Sequence, residues 1–190
     1  MLKRLDNKIN KFLEKHKLRP LKDVFFFILI TIVIHFSWRS WAIDGHYWPI
    51  QEFMRDAGNF MAKVVFIQSS WFNEHILGLE FTTEGQTMYF VNNGYIGLNA
   101  SCSGLKQFTQ FALLMMLYPG PWKKKLWFIP MGVVIVHLTN LFRIIGLSVV
   151  VIHWPSQWHF GHDYLFRPFF YVVIFTLWVI WVERIGKLKN

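Results

Sequence analysis

Cys102 is the only cysteine of the chain, and it lies in Asn99-Ala100-Ser101-Cys102-Ser103-Gly104-Leu105-Lys106-Gln107. These are small, polar residues directly ahead of a long apolar run. A thiol at such a seam can be reached both by water and by a substrate held in a membrane. Its chemistry there would be acyl transfer, because a thiolate attacks a carbonyl to give a thioester. Ser101, Ser103 and Gly104 allow close backbone approach, and a helix starting at this point would aim N–H donors at the site. A single cysteine excludes an internal disulfide and a multi-cysteine metal site. Three roles remain: a buried structural thiol, a palmitoylation site or a nucleophile.

Two other polar groups could work with it. Arg143 stands in Leu141-Phe142-Arg143-Ile144-Ile145-Gly146-Leu147, where a charge is costly and is either functional, paired or snorkelling to the interface. His137, Asn140 and Arg143 recur at i, i+3 and i+6, so they share a helix face that should turn toward a bundle interior. His153, His159 and His162 fall in one loop, from Ile152 to Asp163. The His159-Phe160-Gly161-His162 spacing invites a metal reading, but no third ligand has a clear spacing. A histidine as general acid and base needs only one of them. No metal or cofactor is therefore expected.

The elements that must position these groups are membrane elements. Hydrophobic residues make up 54% of the 190, with 10 Trp and 20 Phe, which is too much apolar surface for a soluble domain of this size. The net charge of +9 does not point to nucleic acid, because most basic residues flank apolar runs. The expected fold is all-α and integral to the membrane, with about four transmembrane helices, an interfacial amphipathic region and a small β-hairpin. Residues 1–22 are basic, with Leu2, Leu5, Ile9, Phe12 and Leu13 at helical spacing, and read as a cytoplasmic amphipathic helix closed by Pro20. Residues 23–190 read as a single membrane-embedded domain, with spans at about 24–42, 104–118, 126–152 and 164–182. Ser40-Trp41-Ala42 loosely resembles a signal-peptide cleavage site, but the long basic region and bulky Arg39 and Trp41 favour a retained anchor. The acidic stretch 44–103 reads as one or two amphipathic helices over 53–79, followed by a hairpin over 81–98 that turns at Asn92-Asn93-Gly94.

Charge sets the expected topology. With the N-terminus in the cytoplasm and four crossings, Lys123-Lys124-Lys125 and the basic tail both land inside, and 44–103 lies outside. Cys102 then lies roughly 30 Å from the lysines, at the outer face, and Arg143 sits roughly 25 Å up its own helix. Thiol, guanidinium and imidazole converge at one depth.

Asn99-Ala100-Ser101-Cys102-Ser103-Gly104-Leu105, then Asn140-Leu141-Phe142-Arg143-Ile144, then a histidine just before the last span, resembles the exosortase/archaeosortase family over about residues 85–184. The resemblance implies a membrane cysteine transpeptidase of the bacterial inner membrane with its site facing the exterior. Its substrates would be exported proteins ending in a short motif, a transmembrane helix and a basic tail. It implies Cys102 as nucleophile, Arg143 as the arginine and His162 as the histidine, with His159 in reserve. Asn140 would orient Arg143, and Ser103 could donate to an oxyanion. Two other classes compete. A non-catalytic scaffold for surface polysaccharide or protein export would tolerate change at Cys102 and Arg143, and a lipid acyltransferase would share the thioester without a peptide substrate.

Overall fold

The computed structural model describes residues 19–42, 51–92 and 94–186. The expected helix over residues 1–22 lies almost wholly outside them. The chain divides into two compact units, Met1–Asp44 and Gly45–Asn190. The first contributes one described helix, α1 (Arg19–Ala42). Pro20 falls in its first turn, where a missing N–H leaves no intrahelical bond unmade.

The second unit carries the site. Its order is α2 (Gln51–His75), β1 (Phe81–Glu84), β2 (Thr87–Phe90), β3 (Tyr95–Gly97), α3 (Leu105–Leu117), α4 (Trp122–His153) and α5 (Arg167–Ile180). α5 is continuous with π-helical turns on both sides, Phe160–Phe166 and Trp181–Ile185.

Among the described residues, three helices are long and apolar enough to cross a membrane: Asp23–Ser40, Trp122–His153 and Phe160–Ile185. The expected fourth, over 104–118, is α3, a helix of 13 residues. At 1.5 Å per residue it is about 20 Å long, short of a core of about 30 Å. Pro119-Gly120-Pro121 stops it early. α3 instead lies beside α4. The Phe111 ring occupies the space over Gly132, where a Cβ would collide with it. Buried Lys125 donates to the Met116 and Tyr118 carbonyls at the end of α3, at 2.9 and 2.6 Å. Close approach at small residues is the way helices associate in lipid, where apolar burial alone gains little.

α2 is one amphipathic helix. Gly58, Ala62, Val65, Ser69 and Asn73 form its buried stripe, and Glu52, Arg55, Asp56, Lys63 and Glu74 stay exposed. It is bound to α4 by side-chain hydrogen bonds: Asn73 Nδ2 donates to Ser148 Oγ at 2.8 Å, and Gln68 Oε1 meets His137 Nε2 at 2.7 Å.

The expected hairpin is a three-stranded antiparallel meander, β1-β2-β3. Sequence reading missed its first turn at Gly85-Gln86, which the pairing of Glu84 with Thr87 defines. Gly85 takes φ 60°, as mirror-image two-residue turns require. Met88, Phe90, Ile96 and Leu98 point inward and join Val65, Ile144, Leu147, Val151 and Phe166 in one apolar core. The four sheet side chains, on an element outside the candidate spans, each contribute about 1.5–3 kcal/mol when taken from water. Cys102 and Trp158 pack against this core. Asn92 Nδ2 fastens the sheet to the end of α4, donating to the Val151 and Ile152 carbonyls at 2.9 and 3.1 Å.

Candidate active site

Cys102 ends a short 3-10 turn, Ala100–Cys102, that leads into α3. Asn99 caps the turn by accepting from the Ser101 N–H at 3.0 Å. Gly104, at φ 80°, then reverses the backbone so that α3 can begin at Leu105. A Cβ at Gly104 would lie 3.1 Å from both Asn140 Nδ2 and the Phe108 ring, so glycine is required twice over, for conformation and for space. The half-buried thiol lies beside the Ser101 hydroxyl, 4.0 Å away.

The polar stripe of α4 faces inward at three levels. His137 meets Gln68. Fully buried Asn140 donates from Nδ2 to the Cys102 carbonyl at 2.8 Å. Asn140 therefore holds the cysteine turn and does not orient Arg143, as the sequence had suggested. Arg143 is buried, and its Nη2 lies 3.2 Å from His162 Nε2. Ser103 is also turned inward. Its hydroxyl donates to the Ala100 carbonyl at 2.6 Å and accepts from Leu105 N at 3.1 Å, so it stitches the turn to α3.

Cys102, Arg143, His159 and His162 all line one cavity of about 600 Å³. Ile144, Leu147 and Val151 supply apolar wall, and residues 94–97 and Trp158 close other sides. His153 stands apart, in the last turn of α4. The two remaining histidines differ. The His159 side chain is 92% exposed and 3.7 Å from Asp163 Oδ2, whereas the His162 side chain is 25% exposed and bonded on both nitrogens.

The partners fix the His162 tautomer. A guanidinium only donates, so Nε2 accepts from Arg143. The Nδ1–H then donates to Asp163 Oδ1, 2.7 Å away. Arg167 Nη1 holds the same carboxylate oxygen at 3.2 Å. The Trp158 ring stacks on His162, with centroids 5.7 Å apart and planes 19° from parallel. The imidazole is thus oriented by a carboxylate, an indole and a guanidinium.

Sequence reading missed Asp163, Arg167 and Trp158. Neighbours at i and i+1 do not face one another on an α-helix, so His162-Asp163 carries no spacing signal. Both lie in the π-helical winding of Phe160–Phe166, which sequence spacing does not announce. Only the i, i+4 spacing of Asp163 and Arg167 was readable, as an ordinary helix ion pair.

Cysteine, arginine and an oriented imidazole around one cavity suit nucleophilic acyl transfer: an attacking sulfur, a permanent positive charge and a proton carrier. Among the described residues, no group of three or more His, Cys, Asp or Glu side chains is placed to hold a metal ion. A family model described as transmembrane exosortase matches residues 18–181. No curated protein and no solved structure matched the chain.

Proposed function

The chain belongs to the transmembrane exosortase family and is an integral membrane protein, and from that premise we propose that it is a cysteine peptidase or transpeptidase acting at the outer end of its membrane helices. One observation carries the reading: Cys102, Arg143 and His162 line a single cavity, with Arg143 bonded to His162.

In the proposed reaction His162 Nε2, once Arg143 has turned toward the substrate carbonyl, takes the Cys102 thiol proton, and the thiolate so formed attacks that peptide carbonyl, whose π pair moves to oxygen. Arg143 stabilises the resulting oxyanion, and in a low-dielectric cavity such a charge acts strongly. His162 delivers a proton to the leaving amine as the C–N bond breaks, leaving an acyl thioester on Cys102. An incoming amine or water then attacks the thioester, His162 takes its proton, and the thiolate departs. An amine acceptor gives transpeptidation, and water gives proteolysis. Asp163 keeps the Nδ1–H in place, so that Nε2 is the working nitrogen. Since Nε2 accepts from Arg143 in this structure, the guanidinium must turn toward the oxyanion for the imidazole to act.

The expected substrates are exported proteins with a short motif, a membrane helix and a basic tail. Trp122 and the lysines after it lie roughly 30 Å along α4 from Arg143, about one bilayer core. A cytoplasmic lysine end therefore sets the cavity at the outer interface.

The test is hydroxylamine trapping. Membranes carrying the enzyme and a processed substrate protein are treated with hydroxylamine. A thioester route releases substrate ending in a hydroxamate, seen by mass spectrometry. Processing with no hydroxamate, at a hydroxylamine concentration that cleaves a model thioester, would overturn the reading.

A further inference from the structure

The register of the sheet shows which backbone groups of β3 are committed. Phe90 N donates to the Gly94 carbonyl at 2.8 Å, and Leu98 N donates to the Gln86 carbonyl at 2.9 Å. Residues 87, 88 and 89 lie opposite 97, 96 and 95. In an antiparallel ladder, bonded and non-bonded pairs alternate. The Gly94 carbonyl, both backbone groups of Ile96 and the Leu98 N–H therefore turn toward β2. Tyr95 and Gly97 turn theirs the other way, to an edge that no other strand among the described residues covers, since β3 is the outer strand of the sheet.

That edge borders the cavity. Residues 94–97 all line it, together with Cys102, Arg143 and His162, and no residue of β1 or β2 does. The side chains alternate across the sheet, with Ile96 buried against the core and Tyr95 and Gly97 exposed on the other face. β3 is also held firmly in position. Asn92 binds the last carbonyls of α4 and accepts from Gly94 N at 3.0 Å. A Cβ on Gly94 would collide with the Val151 side chain.

We propose that the β3 edge is the substrate-binding strand: an extended segment of the substrate polypeptide pairs with the N–H and C=O groups of Tyr95 and Gly97 and so lays a peptide bond against Cys102. This rests on the peptidase reading of the same cavity and adds the form in which the peptide is bound. Strand addition fits the chemistry. It satisfies the edge groups with main-chain bonds whatever the side chains, and leaves side-chain choice to alternate positions. A helix offers no free backbone groups to such an edge, so the recognised segment must be unwound and extended ahead of the substrate's own membrane helix.

The test uses a membrane protein with a C-terminal helix and basic tail that the full-length enzyme processes in cells. A proline scan runs through the substrate residues ahead of that helix. Pairing with β3 makes alternate positions sensitive, because only every second N–H faces the edge. On the enzyme, Gly97→Pro removes one outward donor without touching the β2 bonds, and lowers processing by about ten- to a hundred-fold, as expected for one unmade hydrogen bond. Thr83→Pro, at the opposite edge of the sheet, leaves processing at the wild-type level. Benzoylphenylalanine in place of Tyr95, in the Cys102→Ala background, crosslinks to the substrate segment next to the cleavage point.

A proline scan with no alternation, or a crosslink from position 95 to a second enzyme copy, overturns the proposal while leaving the peptidase reading standing, provided that processing still requires Cys102. Should Gly97→Pro fail to reach the membrane, the substrate-side scan with wild-type enzyme decides alone. Processing that persists in Cys102→Ala sinks both readings together.

Discussion

Arg143 Nη2 lies 3.2 Å from His162 Nε2, so the arginine donates to the very nitrogen that an acid–base imidazole would use. The guanidinium and the imidazole wait on each other. A carbonyl entering between Cys102 and Arg143 would draw the arginine away and free Nε2 for the proton. In the proposed mechanism the contact would couple substrate arrival to the release of the base.

Arg143 should accordingly be intolerant of replacement. Arg143→Gln removes the charge at the oxyanion and is expected to cut the processing rate by about a hundred- to a thousand-fold. Arg143→Lys keeps the charge but loses the planar fork, so it recovers only part of the rate. Processing time courses at matched enzyme levels check both. Wild-type rates in Arg143→Gln would remove the arginine from the mechanism.

Asp163 is expected to act through His162 alone. His162→Ala removes acid–base catalysis worth about a hundred- to ten-thousand-fold. Asp163→Ala loses less, because the imidazole stays but is no longer oriented, and Asp163→Asn recovers part of the loss because its amide oxygen still accepts from Nδ1. The effect falls on kcat and leaves KM near its wild-type value, whereas a merely structural defect would lower the folded fraction. A larger loss in Asp163→Ala than in His162→Ala would contradict this order.

His159 separates from His162 in the same assay. Its contact with Asp163 is long and its side chain exposed. An exposed pair contributes at most about 1 kcal/mol, so His159→Ala should slow processing no more than about five-fold. A loss as large as that of His162→Ala would exchange their roles.

The cysteine turn has its own dependence. Gly104→Ala forces φ 80° on a residue with a Cβ, costing about 1–2 kcal/mol, and pushes on Asn140 and Phe108. Asn140→Leu leaves the Cys102 carbonyl unpaired, at about 1–3 kcal/mol. Both should lower the thermal unfolding midpoint in detergent, and both should slow processing by displacing the thiol. An unchanged midpoint in Asn140→Leu would show that the bond to Cys102 contributes nothing.

The convergence of Cys102, Arg143 and His162 was legible because helix rise is fixed. Counting residues up α4 from Lys123-Lys124-Lys125 gives the height of Arg143, the position of His162 just before the last span gives its end of the bundle, and the i, i+3, i+6 spacing of His137, Asn140 and Arg143 gives the direction they face. The span count was not legible in the same way. Residues 104–118 are apolar enough to read as a crossing, but whether an apolar helix meets lipid or another helix depends on its length and its partners. The ring of Phe111 over Gly132 is a tertiary fact. The first turn of the meander was less legible because Gly85-Gln86 lacks the Asn-Gly pairing that marks a two-residue hairpin turn most strongly, as at Asn93-Gly94. The Asp163–His162 pair escaped because π-helical winding has no residue pattern of its own, and Asn140 was assigned to Arg143 because sequence spacing shows the shared face of a helix but not what lies across from it.

The most direct measurement is processing of a co-expressed membrane protein bearing a C-terminal helix and basic tail, by wild type, Cys102→Ala and Cys102→Ser, with enzyme levels in the membrane matched by blot. Tail removal by wild type and none by Cys102→Ala at equal levels is expected, with Cys102→Ser at most slightly active because an alcohol is the poorer nucleophile. Tail removal by Cys102→Ala at the wild-type rate would contradict the peptidase reading, and would leave a membrane scaffold as the better description.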